Sequence, residues 1–120
     1  MIINRYLKIL NEQEHMEKEI GVDLDGTLAY YDGFKGHDHI GKPIPKMMDR
    51  VKRWLKQGKK VCIFTARADS GKKGIDPVKK WLKDNGLPDL KVTNVKTPNI
   101  IKIWDDRAVH VKRNSGEIIK

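Results

Sequence analysis

The chain has 120 residues, 38% of them hydrophobic and 34% charged, which suits one globular domain with its own core and leaves no length for a second. No apolar run approaches the roughly 20 residues of a membrane span, and Met1-Ile2-Ile3 is followed by Arg5 and Lys8 rather than by the apolar stretch of a secretion signal. The net charge of +9 favours a phosphate-bearing partner, either a phosphorylated small molecule or a nucleic acid, although lysines spread over several helices also serve simply as a solvated surface.

Ile2, Ile3, Tyr6, Leu7 and Leu10 recur at helical spacing, with Glu12, Glu14 and Glu17 in the turns that follow. The spacing predicts a helix over residues 1–18 that docks on the domain. Glu19 to Leu24 reads as the first strand. It runs into Asp23-Leu24-Asp25-Gly26-Thr27, where two carboxylates two residues apart share a face if the extended geometry persists, and Gly26 permits a sharp turn. Residues 29–45 hold glycines, prolines and aromatics and read as a long loop with a small hairpin. Loops of this kind beside a strand end carry function. In it, His37, Asp38 and His39 have a spacing that suits a metal, but a polar loop tip over the site is the better reading.

Pro45 leads into a helix to Gln57, with Met47, Val51, Trp54 and Leu55 as its inner stripe and Gly58 as its stop. Lys60 to Thr65 is a second, buried strand. It contains Cys62, the one cysteine, which excludes an internal disulfide, fits a reducing and hence cytoplasmic setting, and reads as a packed thiol rather than a reactive one. Ser70 to Gly74 reads as a loop, Asp76 as an N-cap and Pro77 as the first residue of the next helix. That helix turns Val78, Trp81 and Leu82 inward and ends at Gly86. Leu90 to Val95 and Ile100 to Trp104 are two more strands. Val109-His110-Val111 and Glu117-Ile118-Ile119, joined by Asn114-Ser115-Gly116, form a final hairpin. Trp54, Trp81 and Trp104 are core residues.

Strand, helix, strand, helix, strand, strand predicts an α/β sandwich with a mostly parallel sheet. Three of its strands end in polar residues: Asp23 with Asp25, Thr65, and Asp105 with Asp106. Four carboxylates at one sheet edge repel one another unless a cation neutralises them. Mg²⁺ suits a few carboxylates, water and a phosphate oxygen. One carboxylate could then attack phosphorus, a second could move the proton of the leaving group, and Thr65 with a lysine could hold the phosphoryl oxygens. Arg67 is as well explained by a salt bridge as by substrate contact.

From Ile20 to Lys112 the chain resembles the haloacid dehalogenase superfamily. Asp23-Leu24-Asp25-Gly26-Thr27 is similar to its first motif, Thr65 in Phe64-Thr65-Ala66-Arg67 to the second, Lys96 in Asn94-Val95-Lys96-Thr97-Pro98 to the third, and Asp105-Asp106 to the fourth. The resemblance implies a three-layer Rossmann-like sandwich and Mg²⁺-dependent hydrolysis of a phosphomonoester through an aspartyl-phosphate. It makes Asp23 the nucleophile and a metal ligand, and Asp25 the general acid/base with its backbone carbonyl on the metal. Thr65 and Ala66 bind the phosphoryl group and Lys96 steadies it, with Lys102, Lys72 or Lys73 as alternatives to Lys96. Asp105 and Asp106 complete the metal site. No gap between the motifs holds a cap domain, so the site should be open. Substrates to weigh are small metabolites or nucleotides and nucleic-acid ends (a 3′-phosphatase). Non-catalytic readings are a phosphate- or nucleic-acid-binding module, and an assembly role for the first helix.

Overall fold

The structure is a computed structural model and describes residues 18–120. The helix expected over residues 1–18 therefore falls, but for Lys18, outside the described residues. The chain runs β1 (Glu19–Val22), α1 (Pro45–Lys56), β2 (Lys60–Phe64), a 3₁₀ turn (Ala66–Ser70), α2 (Lys72–Asp84), β3 (Val92–Thr93) and β4 (Ile100–Trp104). The four strands form one sheet in the order β3-β2-β1-β4, and every pairing is parallel. This is the α/β, Rossmann-like arrangement that the alternation of elements predicts, and among the described residues no domain interrupts it.

The connections β1–α1–β2 and β2–α2–β3 step in the same direction across the sheet. Right-handed crossovers then place both helices on one face. The core follows that geometry: Val22, Leu24, Val61 and Ile63 meet Met47, Met48 and Val51 of α1 and Val78, Trp81 and Leu82 of α2. Each such side chain contributes roughly 1.5–3 kcal/mol by leaving water. The tryptophans serve packing, as expected. Trp81 also donates from Nε1 to the Gly41 carbonyl at 2.9 Å, which fastens the long loop to α2. The rings of Trp54 and Trp104 lie 5.2 Å apart.

The opposite face of β1 is tight. A Cβ on Gly21 would sit 3.3 Å from Ile100 Cγ2. Beside it Glu19 is buried and ion-paired to Lys60, 3.4 Å away. Burial alone would raise the Glu19 carboxyl, but the Cys62 thiol, Lys91 and Lys60 outweigh it and hold the group below its usual value. Cys62 is buried as expected, and burial, then the Glu19 carboxylate, push its thiol up to about 11. A thiol so raised is unreactive at neutral pH.

α1 begins at Pro45, where the missing N–H costs nothing, and Gly58, at φ 79°, ends it. α2 departs from expectation. It starts at Lys72 rather than after Asp76, so Pro77 lies inside the helix. The extra turn exists because Gly74 packs on the 3₁₀ turn, where a Cβ would come 1.9 Å from the Arg67 carbonyl oxygen. That docking and the packing of Ile75 on the core outweigh the hydrogen bond that Pro77 removes. Gly74→Ala is expected to lower stability by about 3 kcal/mol, as overpacking against rigid backbone does; the shift of a urea midpoint checks it.

Two other segments are shorter than expected. The third strand keeps only Val92 and Thr93 of the predicted Leu90–Val95, because β2 alone flanks it and offers few partners. The terminal hairpin is one antiparallel bridge, Val111 to Ile118, closed by Ile119 N–H to His110 O at 2.8 Å, and its side chains are exposed. Among the described residues no helix is long and apolar enough to cross a membrane.

Candidate active site

The sheet order creates the site. After β1 the chain crosses to β2 on one side, while β4 pairs on the other. Open α/β sheets bind ligands outside the carboxyl ends of strands at such a reversal. Val22 pairs with Trp104, and Asp23 N–H donates to Trp104 O at 2.9 Å. The residue after β1 is thereby brought beside Asp105 and Asp106, the residues after β4. One carboxylate oxygen from each of Asp23, Asp105 and Asp106 lies within 4.8 Å of the others.

The turn after β1 is built to hold this cluster. Leu24 and Leu28 are fully buried, and Leu24 O accepts from the N–H groups of Thr27, Leu28 and Ala29 at 2.8 to 3.2 Å. Gly26 sits at φ 89°, and a Cβ there would approach Asp106 Oδ2 to 2.6 Å, so conformation and space both demand glycine. Thr27 Oγ1 donates to Asp106 Oδ1 at 3.1 Å and accepts from Asp106 N–H at 3.0 Å, fixing that residue by one carboxylate oxygen and by its backbone. Asp105 Oδ1 accepts from Arg107 N–H at 2.7 Å. Thr27→Val keeps the shape and removes both Thr27 bonds. If the cluster holds Mg²⁺, loss of such an orienting partner is expected to weaken its binding about tenfold, measured as the midpoint of a Mg²⁺ titration followed by thermal unfolding.

Crowding has an electrostatic consequence. Burial, then the charge of Asp105, then the hydrogen bond and charge of Asp106, push the Asp23 carboxyl up to about 7, with a smaller opposing effect from Leu24 N–H. The donor set is three hard carboxylate oxygens at one strand edge, which suits Mg²⁺, and a bound cation would remove the repulsion that raises Asp23.

Asp25 lies elsewhere. Its side chain is outside the three-carboxylate cluster and is gripped by Arg67, Nε to Oδ2 at 2.7 Å and Nη2 to Oδ1 at 3.0 Å. Arg67 is itself buried. It also donates to His37 O at 3.0 Å and His39 O at 2.9 Å, so those residues meet the site by backbone carbonyls.

Thr65 follows β2 and is buried. It caps the 3₁₀ turn by accepting from Arg67 N–H at 3.2 Å, which leaves its hydroxyl proton to give. Asp23, Asp25, Thr65, Ala66 and Arg107 border one cavity of about 430 Å³. Lys96 is exposed and borders a separate hollow that includes Asp105 but not Asp23, so it does not line the cavity with Asp23 and Thr65; Lys102 borders that hollow too, and also one with Trp54 and Gly58, away from Asp23. Lys72 and Lys73 are exposed at the start of α2. The salt-bridge reading of Arg67 holds, with Asp25 as the partner that the sequence did not name. Thr27 stands in the first motif, but its part in orienting Asp106 escaped the sequence reading, as did Arg107, which adjoins the Asp105-Asp106 pair. No sequence signal joins Arg67 to a residue 42 positions away.

Comparison with known proteins adds the fold alone. No family model and no curated protein matches the chain. Among solved structures, a conserved protein coded by a locus of Bacteroides thetaiotaomicron superposes with a TM-score of 0.60 over 78% of each chain at 21% identity, a likeness of architecture that shows this chain to have an α/β Rossmann-like fold.

Proposed function

We propose that the protein is a Mg²⁺-dependent phosphomonoester hydrolase working through an aspartyl-phosphate on Asp23. The observation that carries the reading is the convergence of Asp23, Asp105 and Asp106 within 4.8 Å at the topological switch of the sheet. The order of motifs resembling the haloacid dehalogenase superfamily supports it.

Asp23, Asp105 and Asp106 would hold Mg²⁺, which when bound supplies positive charge to the cluster and to the phosphoryl oxygens. An Asp23 oxygen attacks phosphorus; the new O–P bond forms as the ester P–O bond breaks, and the leaving oxygen takes a proton from Asp25. Water then attacks the aspartyl-phosphate, Asp25 takes back a proton, and phosphate leaves with Asp23 regenerated. Each Asp25 oxygen accepts one bond from Arg67, which leaves a second lone pair on each to carry the proton. The Thr65 hydroxyl and the Ala66 backbone would bind the phosphoryl group. Arg107 and Lys96, which border two different hollows that Asp105 also borders, would add positive charge. The +9 charge of the chain draws anionic substrates to the site.

Hydrolysis of an aryl phosphate with and without Mg²⁺, with Asp23→Asn as control, tests this. Turnover that needs both Mg²⁺ and Asp23 supports it, and equal turnover by the variant refutes it. Stability gives an independent readout. Asp23 titrates near 7 in the metal-free fold against 3.8 in an unfolded chain, so between those values the folded state binds more protons. The Asp23 contribution to metal-free stability therefore falls as pH rises from about 4 to 7 and is level on either side. Mg²⁺ should raise Tm more at pH 8 than at pH 5, where protons compete for the cluster.

A further inference from the structure

The loop between Ala29 and Pro43, which pair with each other, is an arm carrying three large exposed aromatics, Tyr30, Tyr31 and Phe34, of which the last two face the site. Tyr31 is 45% exposed and Phe34 58%, and both border the 430 Å³ cavity that holds Asp23 and Asp25. A cavity of this volume is of small-molecule size. The arm is not held by burial of those rings. Arg67 fastens its backbone at His37 and His39 and lays its guanidinium 5.4 Å from the centre of the Phe34 ring. The His37 ring meets Phe34 edge-on, centroids 5.3 Å apart at 71°. The fold thus spends a buried arginine on holding aromatic faces toward water beside the carboxylates. A flat group is what such faces bind.

The wall also has a polar edge. His37 Nδ1 is buried without a hydrogen-bond partner, which a native structure seldom tolerates. His37 itself lines the cavity, and Ser70 borders the same space. A heterocycle with donors and acceptors on its rim both stacks and supplies the partner; a plain phenyl ring only stacks, and a sugar only hydrogen-bonds. Arg107 borders the cavity as well, so the acidic end is flanked by positive charge suited to phosphate.

Resting on the phosphatase reading, we infer that the substrate is a nucleoside phosphate, its base stacked on Phe34 and Tyr31 while its phosphoryl group meets Asp23 and Thr65. The nucleotide is either free or the end of a strand. Arg67 joins the two halves, since the guanidinium that fixes the arm also fixes Asp25.

Two measurements test this. The first is turnover with Mg²⁺ of adenosine 5′-monophosphate, adenosine 3′-monophosphate, ribose 5-phosphate and an aryl phosphate, and of short oligonucleotides phosphorylated at either end. At least one nucleotide or strand end should exceed both ribose 5-phosphate and the aryl phosphate in kcat/KM, and which one identifies the source. Phe34→Ala should lower the ratio of kcat/KM for the best nucleotide to that for ribose 5-phosphate about tenfold, mainly through KM, as loss of one stacked base does. Tyr30→Ala, on the same arm but outside the cavity wall, should leave that ratio alone. An aryl phosphate as the best substrate, or an equal effect of Phe34→Ala on all substrates, overturns the inference. The second measurement is calorimetric binding of the same nucleotides to Asp23→Asn protein, which needs no turnover. Binding that Phe34→Ala weakens about tenfold, without hydrolysis by the wild type, keeps the nucleotide site and rejects the phosphatase. Binding no tighter than that of ribose 5-phosphate rejects the nucleotide site whether or not the protein is a phosphatase.

Discussion

Asp23→Asn should abolish turnover and stabilise the metal-free protein at the same time. An amide oxygen is not a nucleophile toward phosphorus, and removal of a reacting side chain costs about 10⁴-fold or more in kcat. The stabilisation comes from the same geometry. Burial and the two neighbouring carboxylates raise Asp23 to about 7, so at pH 8 the folded protein carries a charge it would better lack. The neutral, nearly isosteric amide removes that penalty. Asp23 is partly exposed, which screens the effect, and a gain on the order of 1 kcal/mol is expected, seen as a Tm a few degrees higher. The gain should shrink as pH falls from about 7 to 4 and vanish well below 3.8, where the wild-type carboxyl is protonated in both states. The response of Tm to Mg²⁺ should also vanish with the cluster broken. A variant less stable than the wild type at pH 8 without metal would show that the cluster is not under electrostatic load, and retained turnover would remove Asp23 from the nucleophile's place.

The second large effect is expected at Arg67. Its side chain is 5% exposed and that of its partner Asp25 20%, so this pair is shielded from the solvent that weakens surface ion pairs. Arg67→Met leaves the Asp25 carboxylate without its partner and the carbonyls of His37 and His39 without a donor. Removing one member of a buried pair costs about 3–5 kcal/mol, and we expect the lower end, since Asp25 keeps some contact with water. Adding Asp25→Asn should restore part of the loss, because the orphaned charge goes with it. A double-mutant cycle in urea reads that coupling. Arg67→Lys keeps the charge but not the planar fork, and should lie between wild type and Arg67→Met in stability. In activity Arg67→Lys should fall about 10²-fold, because Asp25 loses its fixed direction and a small misplacement of a catalytic group is that costly. Additive losses in the cycle would mean that the Arg67–Asp25 contact carries no energy of its own.

The parts of the molecule legible in the sequence were those set by local pattern. The stripe Met47, Val51, Trp54 and Leu55 predicts α1, and the unbroken apolar run through Val61, Cys62 and Ile63 predicts a strand buried on both faces. Alternation of the elements gives the parallel sheet. Asp23, Thr65 and Asp105 could be picked out because each lies directly beyond a strand, where a parallel sheet collects its chemistry. The start of α2 was misread for an instructive reason. Asp76-Pro77 is a good local start signal, but it is outweighed by Gly74 docking on the 3₁₀ turn, a contact between elements that no local rule contains.

The sequence by itself determined which residue types stand at the strand ends, because strand and helix periods are properties of neighbouring residues, and it determined that the strand ends carry an excess of carboxylate. Tertiary structure decided how those carboxylates divide. The register of β1 on β4 sends Asp23 to Asp105 and Asp106, whereas the side chain of Asp25, two residues on, turns to a guanidinium from beyond β2. Two residues of equal charge in one short motif thus acquire opposite surroundings. Asp23 is crowded by like charge, and Asp25 is held by an opposite one. The cause is that Coulomb energy and burial depend on distances in space, which chain order does not give.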